Sequence, residues 1–229
     1  MANVETKTVK LSTGAGAYEA KPAGTGPFPG VVLLQEWWGL NDHVKDVARR
    51  LAAEGYVVLA PDLYHGKVTR DPNEAGTLMG ALNRDLEAAV RDMKAAVDAL
   101  ATNTAVKAGR IGVTGFCMGG RLALTLAAHD DRVKAAAGWY GVPVPDDATL
   151  QRITGEVLYI YGDQDQFVTK ADVARLEKAL KAGGVKGRVV TYPAPHAFFN
   201  DTRPEVYRPD HARHAWEQVL DLFRRTLRA

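Results

Sequence analysis

The stretch that most restricts the fold of this 229-residue chain is Ile111-Gly112-Val113-Thr114-Gly115-Phe116-Cys117-Met118-Gly119-Gly120-Arg121. Ile111 to Thr114 is a short apolar run that reads as a buried strand, and Arg121 to Ala128 carries apolar residues at helical spacing. Between them stands the only cysteine of the chain, with Gly115 two residues before it and Gly119 two after. A strand that turns directly into a helix brings backbone against backbone, so flanking positions must lack side chains. The pattern G-x-C-x-G is that of a nucleophile elbow, with cysteine where serine is usual. Such a turn lifts the sulfur to the carboxyl end of the strand, beside the first free N–H groups of the helix. Those groups favour a thiolate and can hold an oxyanion.

The remaining chain repeats the same kind of unit. Val31 to Gln35, Tyr56 to Ala60, Val133 to Tyr140, Val157 to Tyr161 and Val189 to Tyr192 are apolar runs expected of strands buried on both faces. Helical spacing recurs in Val44, Val47, Ala48 and Leu51, where Asn41 is placed to cap, and in Leu86, Val90, Met93, Val97 and Leu100. It recurs again in Val173, Leu176 and Leu180, and in Trp216, Val219, Leu220, Phe223 and Leu227. Val4 to Ser12 and Ala15 to Ala20 read as an edge hairpin, residues 63–80 as a loop with a short helix, and 142–154 as loop. Apolar strands alternating with amphipathic helices predict an α/β fold, a mostly parallel sheet with helices on both faces. With no repeat, low-complexity tract or linker, residues 1–229 are expected to form one domain.

The totals narrow the function. A net charge of +2 lacks the basic stripe of a nucleic-acid binder; Arg224, Arg225 and Arg228 read instead as a helix C-terminus complementing its dipole. One cysteine forms no internal disulfide, which fits a reducing compartment. The first residues show no apolar leader, and no run approaches the ~18 apolar residues of a membrane span. The expectation is a cytoplasmic protein without membrane or nucleic-acid partners, a monomer or small homo-oligomer. Neither a cysteine pair nor an H-E-x-x-H motif exists for zinc, and His211 with His214 lack further ligands. Gly14 and Gly16 lie in a hairpin rather than a dinucleotide-binding turn, so no metal or cofactor is expected.

In open α/β sheets the chemistry lies beyond the carboxyl ends of the strands. In chain order those ends carry Glu36, Asp62, Cys117, Trp139-Tyr140, then Asp163 and Asp165, and last His196. Cysteine, then aspartate, then histidine is the α/β-hydrolase order of nucleophile, acid and base, with Asp163 and Asp165 competing for the acid. The short spacings describe a compact version of that fold without a large cap domain. Glu36 follows four buried apolar residues, a costly place for a carboxylate without a task or partner. Trp37, Tyr140 and Phe198 are aromatic candidates for an apolar pocket or for the core.

Six pieces together resemble the dienelactone hydrolase family: Gln35-Glu36, Pro61-Asp62-Leu63-Tyr64, Gly115 to Gly120, Tyr140-Gly141, Gly162 to Val168, and His196-Ala197-Phe198. The resemblance implies Cys117 as nucleophile, His196 as base, and Asp165 rather than Asp163 as acid, by the family's G-x-x-D-x-x-V pattern. It implies that Glu36 helps convert the thiol to a thiolate. With the elbow in place, the backbone N–H groups of Met118 and Trp37 would form the oxyanion hole. The family's best-known members bind a substrate carboxylate with two arginines, one of them four residues after the catalytic histidine. Asn200 stands there in this chain, with Arg203 the nearest alternative; for the other, Arg70 and Arg84 are candidates. The implied activity is hydrolysis of small esters or lactones such as carboxymethylenebutenolide through an acyl-thioenzyme. Alternatives are a general short-chain carboxylesterase or thioesterase, a lactone-binding protein on a hydrolase fold, and a redox sensor. The sensor would lack a second cysteine to resolve a sulfenic acid.

Overall fold

The computed structural model describes residues 3–228. Met1, Ala2 and Ala229, counted above within the expected domain, lie outside the described residues. The apolar runs become β1 (Val4–Lys10), β2 (Gly16–Pro22), β3 (Phe28–Leu34), β4 (Val57–Pro61), β5 (Val106–Phe116), β6 (Val133–Trp139), β7 (Glu156–Gly162) and β8 (Gly187–Tyr192). They form one sheet in the order β1-β2-β4-β3-β5-β6-β7-β8. The β1–β2 and β2–β4 pairs are antiparallel, and β4 through β8 run parallel. This is the expected α/β-hydrolase architecture.

The apolar runs are continuous because both faces are covered. Alternate side chains of a strand point to opposite faces. Val32 and Leu34 of β3 therefore join one core while Val31 and Leu33 join the other, and β4 divides in the same way. One core is packed by α3 (Leu86–Thr102), α4 (Met118–His129) and α6 (Lys170–Ala182). The other is packed by α1 (Asp42–Ala53) and α7 (Pro209–Phe223). Asn41 caps α1 by accepting from Val44 N at 3.1 Å, as its position suggests.

Two regions differ from expectation. Residues 63–80 were expected as a loop with a short helix, yet α2 (Pro72–Arg84) is a full helix of 13 residues. Its start has Asp71 as cap and Pro72 in the first turn, both local signals. Its apolar periodicity is weak because only Ala75 and Leu82 are fully buried. Within 142–154, α5 (Asp147–Gln151) is a single capped turn with Leu150 buried. Strand β5 also begins earlier than its apolar run, since its first half is largely solvent-facing. Among the described residues no helix is long and apolar enough to cross a membrane.

Candidate active site

The parallel register aligns the strand ends. Leu34 pairs with Gly115, and Phe116 with Trp139, so Glu36, Cys117 and Tyr140 emerge side by side. Cys117 is the residue between β5 and α4, with φ 55° and ψ −120°. That backbone region is unfavourable for a side-chain-bearing residue, by about 1–3 kcal/mol. It is held there by four hydrogen bonds: its N–H donates to Trp139 O at 2.9 Å, and its carbonyl accepts from Gly120, Arg121 and Val142 N–H groups. The glycines flanking it answer to close approach. A Cβ on Gly115 would fall on the Gly119 carbonyl, and one on Gly119 would come within 2.5 Å of Gln35 O. Tyr140 and Ala197 also have positive φ, so strained residues follow β5 and β6 and adjoin His196.

His196 sits in the loop after β8. Its Nδ1 and Asp165 Oδ2 are 2.7 Å apart, with the Asp165 side chain fully buried and the His196 side chain 13% exposed. Asp165 Oδ1 accepts from Phe167 N at 2.7 Å and Val168 N at 3.1 Å, so the loop after β7 fixes the carboxylate from its own backbone. Asp163 is exposed and does not make this contact with His196. Burial alone would push His196 down. The hydrogen bond with Asp165 and the interaction with Cys117 outweigh it and raise the imidazole to about 10. Tyr140, fully buried, lies 4.9 Å from the His196 ring, and the exposed Phe167 packs edge-on against it at 5.0 Å.

Glu36 is buried, at 2% exposure, two residues beyond the end of β3. Asn200 Nδ2 donates to its Oε2 at 3.0 Å, while Oε1 is buried without a partner. Asn200 is itself 1% exposed. Asn200, the position where the resemblance led to the expectation of an arginine, is thus a buried neutral donor that holds Glu36. Burial, followed by the charges of Glu36 and Cys117, keeps the Tyr140 hydroxyl well above its ordinary range.

The other expected residues divide. Trp37 is half-buried in the turn after Glu36, where Gly39 N donates to Glu36 O, and Met118 opens α4. Phe198 is completely buried against Trp139, Tyr140 and Tyr192, which makes it a wall behind Tyr140. Arg70 and Arg203 line a separate cavity of about 540 Å³ with Trp38, His43, Lys45 and Asn200; Cys117, Asp165 and His196 do not line it. Arg84 is exposed on α2. Sequence reasoning missed Asn200 as a partner of Glu36 and Phe167 as a neighbour of His196. Among the described residues, no cluster of three or more His, Cys, Asp or Glu is arranged to hold a metal ion.

The family model of the dienelactone hydrolase family matches residues 15–227. The chain belongs to the dienelactone hydrolase family. A Methylorubrum extorquens protein provisionally named a carboxymethylenebutenolidase is 38% identical over 221 residues, covering 91% of this chain and 76% of that one. The Aquifex pyrophilus protein usf is 35% identical over 217 residues, covering 92% and 93% of the two chains. Among solved structures, a dienelactone hydrolase-like promiscuous phosphotriesterase from metagenomic libraries superposes with a TM-score of 0.89 at 26% identity, over 99% of both chains. Membership makes this protein a dienelactone hydrolase-like hydrolase.

Proposed function

We propose that this member of the family hydrolyses small esters or lactones, with Cys117 as nucleophile, His196 as base, Asp165 as its orienting acid and residues 1–229 acting as one domain. The observation that carries the reading is the 2.7 Å Asp165–His196 pair, at the same end of the sheet as the elbow cysteine. A free thiol is mostly protonated at neutral pH. Here the thiol proton passes to His196 Nε2, and the resulting imidazolium is stabilised by Asp165 on the opposite nitrogen.

The thiolate attacks the substrate carbonyl, and the N–H groups of Met118 and Trp37 receive the oxyanion. Loss of one such donor typically costs ~10²–10³ in rate. His196 returns its proton to the departing alkoxide, leaving an acyl-thioenzyme. It then takes a proton from water, which attacks the thioester and restores the thiolate. Glu36 assists thiol deprotonation through its unpartnered Oε1. Phe167 and Trp37 meet apolar parts of the substrate, with Tyr140 as the pocket floor. A carboxylate on the substrate would be met by Arg70 and Arg203 only through the neighbouring cavity.

The test is steady-state hydrolysis of short-chain p-nitrophenyl esters and of carboxymethylenebutenolide by wild type, Cys117→Ala and Cys117→Ser. The alanine variant is expected to lose activity by ~10³-fold or more, and mass spectrometry of quenched wild type should show an acyl adduct on Cys117. Wild-type rates in both variants would overturn the assignment.

A further inference from the structure

Every polar atom of Asn200 is engaged. Its N–H donates to Ala197 O at 2.9 Å, and its carbonyl accepts from Arg203 N at 3.1 Å. Its side-chain Oδ1 accepts twice from Thr202, from the backbone N–H at 3.1 Å and from Oγ1 at 2.6 Å. Its Nδ2 donates to Glu36 Oε2 at 3.0 Å. The two ends of an amide are told apart by their partners. A backbone N–H can only donate, so the end that meets Thr202 N is the oxygen and the end that meets Glu36 is the amide nitrogen.

The chain around Asn200 is anchored as well. Asp201 turns toward α1, where Arg50 Nη2 donates to its Oδ2 and His43 Nδ1 lies 3.4 Å from its Oδ1. His196 stands four residues before Asn200. One short segment therefore carries the imidazole and, among the described residues, the one side chain that donates to Glu36. A turn closed by the Asn200 side chain needs only the Thr202 N–H. The Thr202 hydroxyl is a second donor beyond that need, and donors on the amide oxygen strengthen donation from the amide nitrogen.

We infer that Thr202 is a positioning residue for the reaction: through Asn200, its hydroxyl fixes Glu36 by Oε2 and keeps Oε1 as the free acceptor. The inference rests on the reading of Cys117 as nucleophile and Glu36 as its helper. Without the hydroxyl, one donor is left to hold the amide in plane with the carboxylate, and Glu36 loses its fixed orientation. Thr202 is exposed and reaches the site only through Asn200. Its loss slows the chemical step and leaves substrate binding unchanged.

The experiment is a double-mutant cycle read by stopped-flow release of p-nitrophenolate from p-nitrophenyl acetate, in single turnovers of the full chain. The variants are Thr202→Val, Thr202→Ser, Glu36→Gln and Thr202→Val combined with Glu36→Gln. Valine keeps the shape and the backbone N–H and removes the hydroxyl. The saturating acylation rate is expected to fall about 5–10-fold in Thr202→Val, with the half-saturating concentration unchanged within about twofold. Thr202→Ser is expected to restore the rate. In the Glu36→Gln background, Thr202→Val is expected to change the rate by less than about twofold, because the two residues act along one path.

A wild-type rate in Thr202→Val overturns the inference. So does a loss of equal size in both backgrounds, since Thr202 would then support the loop as a whole. Equal losses in the serine and valine variants, or a loss carried by the half-saturating concentration, overturn it too. If the valine variant does not fold, Thr202→Ala is read in the same way. Failure of the underlying reading looks different: Glu36→Gln at the wild-type rate removes Glu36 as helper, and retained hydrolysis in Cys117→Ala removes the nucleophile.

Discussion

Two buried carboxylates stand near Cys117, and they are held in different ways. Asp165 has both oxygens engaged, by His196, Phe167 N and Val168 N. Glu36 has one oxygen on Asn200 and the other buried with no donor. A buried acceptor left unmade costs about 1–3 kcal/mol, and more when charged. Asp165 is therefore complete before substrate arrives: its bonds fix one imidazole tautomer and one ring orientation. Glu36 keeps spare acceptor capacity inside the site. The same functional group thus supplies a rigid support on one side and an unfilled acceptor on the other. The difference comes from the donors, two of which lie on Asp165's own loop while Glu36 depends on a residue 164 positions away.

The comparison is broken most severely by Asp165→Asn. The amide would favour the wrong imidazole tautomer, and kcat is expected to fall by ~10³–10⁴, the scale of the corresponding change in serine proteases. A kcat within tenfold of wild type on p-nitrophenyl acetate would show that the support is dispensable. Glu36→Gln and Asn200→Ala probe the other side. Glu36→Gln keeps the acceptor for Asn200 but removes the spare one, and kcat/KM is expected to drop ~10–100-fold, the worth of a hydrogen bond to a charged group. Asn200→Ala strands both Glu36 oxygens and is expected to destabilise the fold by about 1–3 kcal/mol in urea unfolding. An unchanged urea midpoint in Asn200→Ala would remove the contrast between the two carboxylates.

A further effect is in stability against pH. His196 titrates at about 10 in the folded protein, against about 6.5 when unfolded. A raised folded value means that the charged imidazole contributes stability in full below the unfolded value, and that the contribution fades as pH climbs through about 10. Melting temperatures of wild type and His196→Gln should therefore differ most below pH 6.5 and draw together toward pH 10. A constant difference across that range would separate His196 from the thiol and carboxylate that hold its charge.

What could be read from the sequence is what local chemistry and chain order decide. The elbow was legible because a glycine two residues to either side of Cys117 is demanded by contacts within the turn and with the adjacent strand. The strands were legible because both of their faces are covered, which makes them continuously apolar. Asp165 and His196 were legible as residues that follow β7 and β8 at one end of the sheet. Helix α2 was not, because it buries so little that its periodicity is weak.

Only the tertiary structure decided which groups meet across long separations. Asn200 reaches Glu36 across 164 residues, and Arg121 meets Asn83 across 38. Arg70 and Arg203, substrate-contact candidates on the sequence, are gathered into a cavity that Cys117, Asp165 and His196 do not line. Spacing along a chain sets strand order and turn shape because steric exclusion acts between near neighbours. The partner of a buried polar atom depends on how loops from distant strands close over the sheet, and in this protein that closure gave Glu36 a neutral holder.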